Sequence, residues 1–179
     1  DEVKIGKYVK EFVMNKIIYI DIPNVFKIDE PGLLESIFSI ISANPGMIVD
    51  YESLSNDLKR NRKTISNYIL YLEKAFLIKK LYNYSRNILT SEKKLKRFYP
   101  VSTAFSYLFN AETGKIIENS VIMNYDFMFF SRSGEKEIDF IKDNGYKTPV
   151  EVKYKNDIKL KEIKNLVKFL GKYKGKEAL

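Results

Sequence analysis

The sequence predicts an α+β chain: an N-terminal helical segment, a helix-rich stretch closed by two strands, then a mixed α/β part. Three observations predict it. Apolar residues recur at helical spacing before residue 76, as at Ile65, Ile69, Leu72 and Phe76 (i, i+4, i+7, i+11). Later the period falls to two, in Glu137-Ile138-Asp139-Phe140-Ile141 and Val150-Glu151-Val152-Lys153-Tyr154. Breakers separate the segments, at Pro23, Asn44-Pro45-Gly46 and Asn144-Gly145.

Residues 1–30 read as a helix, with Val9, Phe12, Val13 and Ile17 at helical spacing, followed by a short β-rich stretch, Ile17 to Ile22, that Pro23 stops. This piece is too small to bury its own apolar side. It is expected to pack on the chain after residue 30 or on an upstream domain, and a start at Asp1 without methionine fits a fragment.

From 31 to 101 the pattern changes. Pro31 suits a first helical turn, and Leu33, Leu34, Ile37, Phe38, Ile40 and Ile41 form an apolar stripe ending before Asn44-Pro45-Gly46. Asp50 caps a short helix from Tyr51 to about Leu58. A turn at 59–61 leads to a longer helix, Arg62 to Phe76. A β-like segment (Ile78 to Tyr84), a basic loop (Arg86 to Lys96) and a second β segment (Arg97 to Val101) come next. Helix, helix, turn, helix, β-hairpin is the order of a winged helix-turn-helix.

From 102 to 179 the chain reads as α+β. A short helix ends near Asn110, and a longer one runs from Gly114 to Tyr125. Strands are expected at Asp126 to Arg132, Glu137 to Lys142 and Thr148 to Tyr154. The last helix, Leu160 to Leu170, would turn Ile163, Leu166, Val167 and Leu170 inward.

Composition narrows the chemistry. The 179 residues carry a net charge of +8, which suits an anionic partner such as nucleic acid; a lysine-rich surface kept soluble by charge is the alternative. There is no cysteine and no histidine, which excludes disulfides, thiolate metal sites, Ser-His-Asp catalysis and zinc-histidine sites. Any catalysis must run on carboxylates, lysines, tyrosines and an oxygen-held metal. No apolar run reaches membrane-spanning length, so no membrane partner is expected, and a cytoplasmic location is.

In a helix-turn-helix the second helix enters the major groove. With Ile65, Ile69, Leu72 and Phe76 inward, Arg62, Lys63, Ser66, Asn67, Leu70 and Tyr71 are left outward or lateral. Arg62 and Lys63 could meet phosphates, and Ser66, Asn67 and Tyr71 phosphates or bases. Arg60 in the turn and Lys93, Lys94, Lys96 and Arg97 in the wing extend the basic surface. The competing reading is a protein-interaction module.

The alternating pair reads as a hairpin with Ile138, Phe140, Val150, Val152 and Tyr154 on one face and Asp139, Glu151 and Lys153 on the other. Two carboxylates and an ammonium are what a metal-dependent phosphodiester hydrolase needs. The loop decides whether they meet. Pairing Lys142 with Thr148 puts Asp139 opposite Glu151, a loop of Asp143 to Gly145 makes the pair diagonal, and a two-residue turn at Asn144-Gly145 breaks the set. The apolar pattern favours an odd loop. Glu118, in the helix before the first strand, is a third candidate acid.

A helix with Glu118, a strand, a strand with Asp139, a strand with Glu151-Val152-Lys153 and a final helix resemble the core of PD-(D/E)XK nucleases, the restriction-endonuclease-like fold. Ile138 stands where that family often has proline, and the family core continues into a fourth strand after the last helix, so a truncated α/β domain is expected. Over nearly its whole length, through Asp21-Ile22-Pro23, Lys63-Thr64-Ile65-Ser66-Asn67-Tyr68-Ile69 and Arg97-Phe98-Tyr99, the chain resembles the C-terminal half of archaeal AAA-type ATPases. The resemblance implies that residues 1–30 are the tail of an ATPase lid, 31–101 a winged helix for DNA and 102–179 a nuclease-like domain. It also implies that Asp139, Glu151 and Glu118 hold Mg²⁺ or Mn²⁺ while Lys153 positions water. No G-x-x-x-x-G-K-[ST] occurs, so ATP would enter only through an upstream ATPase domain.

Overall fold

The computed structural model describes residues 2–143, 145–173 and 178. It is α+β, with a six-stranded mixed sheet in the order β1-β3-β2-β4-β5-β6. The strands are β1 (Met47–Val49), β2 (Ile78–Asn83), β3 (Lys96–Pro100), β4 (Phe129–Ser133), β5 (Lys136–Asp143) and β6 (Lys147–Val150). The chain divides into two compact units. One runs to Lys79 and resumes over Phe98–Asn119; the other takes Lys80–Arg97 and the chain from Ser120 onward.

The first unit opens with helix throughout: α1 (Glu2–Tyr8), wide π-helical turns at Val9–Met14 and Ile17–Asp21, and α2 (Ile22–Val25). The extended stretch expected at Ile17 to Ile22 is therefore helical. Met14, Ile18 and Ile22 continue one stripe at i, i+4 and i+8, and all three are buried. Burial of each is worth about 1.5–3 kcal/mol, more than the roughly 1 kcal/mol span of β propensity. Pro23 falls in the first turn of α2, where a missing N–H is no loss.

Next come α3 (Pro31–Ala43), β1, α4 (Tyr51–Asp57) and α5 (Arg62–Lys74). Pro31 starts α3 as expected. The Asp50 carboxylate accepts from the N–H groups of Glu52 (2.9 Å) and Ser53 (3.3 Å), and the Asn61 side chain accepts from Thr64 N–H (2.8 Å). Lys59 turns the chain between α4 and α5 with φ 53°. Leu34, Ile37, Phe38 and Ile41 of α3 meet Ile65, Ile69 and Leu72 of α5 in one core. Phe76 is a correction: α5 ends at Lys74, φ at Phe76 is 56°, and its ring is 81% exposed rather than inward. Strand β1 is an addition to the elements the sequence pattern predicts.

After α7 (Thr103–Leu108), the first turns of α8 (Thr113–Asn124) complete this unit. Phe105 packs edge-on against Phe38, ring centroids 5.0 Å apart.

In the second unit the basic loop expected over 86–96 contains α6 (Ile88–Lys93), capped by the Asn87 side chain. The end of β2 pairs in parallel with β4, Tyr82 with Phe129 and Asn83 with Phe130. Gly134, φ 59°, opens the two-residue turn between β4 and β5. Between the pairs Phe129–Ile141 and Ser131–Ile138, β5 carries one extra residue, a β-bulge. The bulge corrects the expected faces: Ile138 joins Ile141, Leu166 and Phe169 in one cluster, while Phe140 stacks on Phe127 at 4.9 Å. β6 pairs Phe140 with Val150, Lys142 with Thr148 and Asp143 with Lys147, leaving a loop of residues 144–146. The loop is odd, as the apolar pattern required; Asn144 itself lies outside the described residues. The strand expected to reach Tyr154 ends at Val150. A 3₁₀ turn (Leu160–Glu162) precedes α9 (Lys164–Tyr173), whose Leu166 and Phe169 are buried; Val167, expected inward, is exposed.

Candidate functional site

Asp139 lies in the β5 bulge, where a bulge re-aims a side chain. The β5–β6 pairing ends just beyond it, at Phe140 with Val150. Its Oδ2 accepts the N–H of Val152 at 2.9 Å, fixing the chain just after β6. Lys153 donates its ammonium to Glu151 Oε1. Burial opposes the Lys153 charge, but the Glu151 hydrogen bond and the charges of Glu151, Asp139 and Glu162 outweigh it, so its pKa stands above the usual lysine value. The three residues the hairpin pattern picked out are thus one electrostatic group. Glu151 Oε2 is buried without a hydrogen-bond partner among the described residues. The same residue lines a cavity of about 300 Å³ walled by Val121, Tyr125, Phe127, Val150 and Val152.

Arg97 corrects the expected DNA surface. Its side chain is 3% exposed, with the guanidinium carbon 4.9 Å from the Phe130 ring centroid. It pairs with Glu137 and lies 3.7 Å from Asp139 Oδ1. Glu137 also faces Arg132 at 3.7 Å. The Arg97 guanidinium thus faces two acids of β5.

Glu118 belongs to the first unit, on the part of α8 that packs there. It is buried. Its Oε1 accepts the Tyr99 hydroxyl at 2.5 Å, and its Oε2 faces Lys115 Nζ at 2.8 Å. Gly46 closes over this pair. With φ at 79°, an added Cβ would stand 2.7 Å from Tyr99 Oη and 2.8 Å from Glu118 Oε1. Among the described residues no group of three or more acids is placed to hold a metal ion.

On α5, Arg62, Lys63 and Ser66 are exposed and Asn67 is half-buried. Arg62 comes no nearer than 4.0 Å to Glu52, and both are largely exposed. Tyr71, expected outward or lateral, is half-buried, its ring stacked on Phe26 with 4.3 Å between centroids. Arg60 is exposed but committed, its Nε and Nη2 donating to Glu30 at 2.5–3.0 Å. That pairing holds the Glu30 pKa below the usual carboxylate range. Lys93 is exposed at the end of α6. Lys94 donates to the Tyr84 carbonyl at 3.1 Å, and Lys96 to the carbonyls of Glu92 and Lys94. Burial pushes the Lys96 pKa below its usual value.

Sequence reasoning missed Tyr99, Lys115 and Glu137. Lys115 was legible, since it stands three residues before Glu118 on one helix face. Tyr99 and Glu137 carried no local signal.

A family described as a domain of unknown function (DUF8612) matches residues 6–108. No curated protein and no solved structure matches the chain.

Proposed function

The chain belongs to this family of unknown function, DUF8612, and we propose that it binds DNA and that its second unit carries a two-carboxylate, one-lysine site for metal-dependent phosphodiester hydrolysis. The observation that carries the hydrolytic reading is Glu151. A buried carboxylate oxygen without a hydrogen-bond partner among the described residues is a group that a hard cation satisfies. The donor set fits Mg²⁺ or Mn²⁺, which take one or two protein carboxylates and fill the rest of the shell with water and substrate phosphate. Asp139 and Glu151 would hold the ion. When bound, it polarises a phosphoryl oxygen and lowers the pKa of a bound water. Lys153, held charged by Glu151 and Asp139, is no base at neutral pH. Its part is to orient Glu151 and offset negative charge at the phosphate. Glu118 is left out of this set, because Tyr99 and Lys115 engage both its oxygens.

The DNA reading rests on the first unit and the strands it shares. The order α3–β1–α4–α5–β2–α6–β3 and the sheet order β1-β3-β2 support a winged helix-turn-helix with α6 inserted in the wing and α5 as the helix that enters the groove. Arg62, Lys63 and Ser66 line its exposed side. The resemblance to the C-terminal half of archaeal AAA-type ATPases belongs to the same proposal.

A second reading, a DNA- or protein-interaction module without catalysis, is favoured by Arg97. Its guanidinium lies 3.7 Å from Asp139 Oδ1, a fixed positive charge beside the proposed ion. Mn²⁺ titration calorimetry and plasmid cleavage, with and without EDTA, separate the two. The hydrolase reading expects Mn²⁺ binding that Asp139→Asn and Glu151→Gln weaken. It also expects EDTA-sensitive cleavage that Lys153→Ala slows while metal binding persists. Absent Mn²⁺ binding and cleavage, with all three variants like wild type, installs the interaction module. For DNA, Arg62→Glu with Lys63→Glu should flatten log affinity against log salt by about 2. An unchanged slope removes α5 from the interface.

A further inference from the structure

A separate concavity in the second unit is built differently from the Asp139 site. It has a volume of about 560 Å³, within the range of small-molecule pockets. Five cations line it: Lys94, Arg132, Lys136, Lys168 and Lys172. The single acid among its described lining residues is Glu137, whose carboxylate is already engaged by Arg97 and Arg132. Lys168 and Lys172 stand four apart on α9 and are exposed, so both ammonium groups can serve one anion. Ser131 and Ser133 add hydroxyl donors. A pocket with this excess of positive charge selects a ligand bearing more than one negative charge.

Two further features say what else the ligand carries. The walls include Tyr84, Phe169 and Tyr173, rings packed on one another with centroids 4.4–6.4 Å apart. Such walls offer stacking area to a flat group. The Oδ1 of Asn165 is buried with no hydrogen-bond partner among the described residues, while its Nδ2 reaches the Glu137 carbonyl at 3.4 Å. That oxygen needs a donor. A phosphate chain ionised at neutral pH has none to give, whereas a base amino group or a ribose hydroxyl does. We infer that this pocket binds a nucleoside polyphosphate, with the lysines of α9 on the phosphates and Asn165 and the tyrosines on the nucleoside.

The test is calorimetry on the full chain in EDTA, so that no divalent ion at Asp139 contributes, with ATP and inorganic tripolyphosphate as probes. ATP should bind at least about tenfold tighter than tripolyphosphate. Lys168→Glu with Lys172→Glu should weaken both at least about tenfold, and these exposed sites leave folding intact. Asn165→Leu should weaken ATP about tenfold and leave tripolyphosphate unchanged, a selective loss that general destabilisation would not produce. Three results overturn the inference: no ATP binding, equal affinity for the two probes, or indifference to the lysine reversals. A short oligothymidylate that binds tighter than ATP and is lost with the same lysines reassigns the pocket to a nucleic-acid strand and overturns it too.

Discussion

Replacing Arg97 with methionine tests whether a buried ion pair, rather than a free metal-ready carboxylate, organises β5. The substitution keeps the apolar stem over Phe130 and removes the charge. Glu137 and Asp139 then lose the guanidinium that faces them. Breaking a buried pair by deleting one partner costs about 3–5 kcal/mol. The Glu137 side chain is 36% exposed and recovers hydration, whereas that of Asp139 is only 13% exposed. The loss should fall at the low end, about 3 kcal/mol, with up to about 1 more from the cation–π contact. That is a large share of a typical domain stability of roughly 5–15 kcal/mol. At a urea dependence of about 2 kcal/mol per molar, the unfolding midpoint should drop by about 1.5–2 M. The chain has no tryptophan, so far-ultraviolet circular dichroism is the appropriate signal. Adding Asp139→Asn should recover about 1 kcal/mol or more, because the carboxylate that faced the guanidinium then carries no charge. A loss under about 1 kcal/mol, or no recovery in the double variant, refutes the reasoning.

Gly46→Ala should destabilise by about 2 kcal/mol or more in thermal unfolding, since an L residue strains at φ 79° and its Cβ would stand 2.7 Å from Tyr99 Oη. Phe76→Gly should stabilise by about 1 kcal/mol, because φ is 56° and the exposed ring contributes little; a lowered melting temperature would sink this account. The Lys153 pKa is raised on folding, so its contribution is fully present below the unfolded lysine value near 10.4 and lost as pH rises through the folded one. Stability of wild type and Lys153→Met should therefore run parallel from pH 7 to about 9.5 and converge above; convergence on the acid side instead would contradict the assignment.

Much of the fold was legible because its determinants are local. The α3 and α5 stripes repeat every three to four residues, and Asp50 and Asn61 cap helices through N–H groups two or three positions on. The odd loop after Asp143 is a consequence of parity; Glu151 and Lys153 pair just beyond the strand, where the charge of Asp139 also acts on Lys153. Phe76 shows where such reasoning stops: its spacing was right, but the helix ended two residues earlier.

What tertiary structure alone decided concerns charges and chain reversals whose partners lie far along the sequence. Ile17 to Ile22 is β-rich locally, yet it is helix because Met14, Ile18 and Ile22 join the α3–α5 core. Arg97 reads as one more cation of a basic wing, and only folding carries Glu137 to it from forty positions away and buries it. The same holds for Tyr99 with Glu118. Periodicity records which side of an element is apolar. It does not record which polar groups on two distant elements will share a low-dielectric interior, and there an unmatched charge costs more than any local propensity contributes.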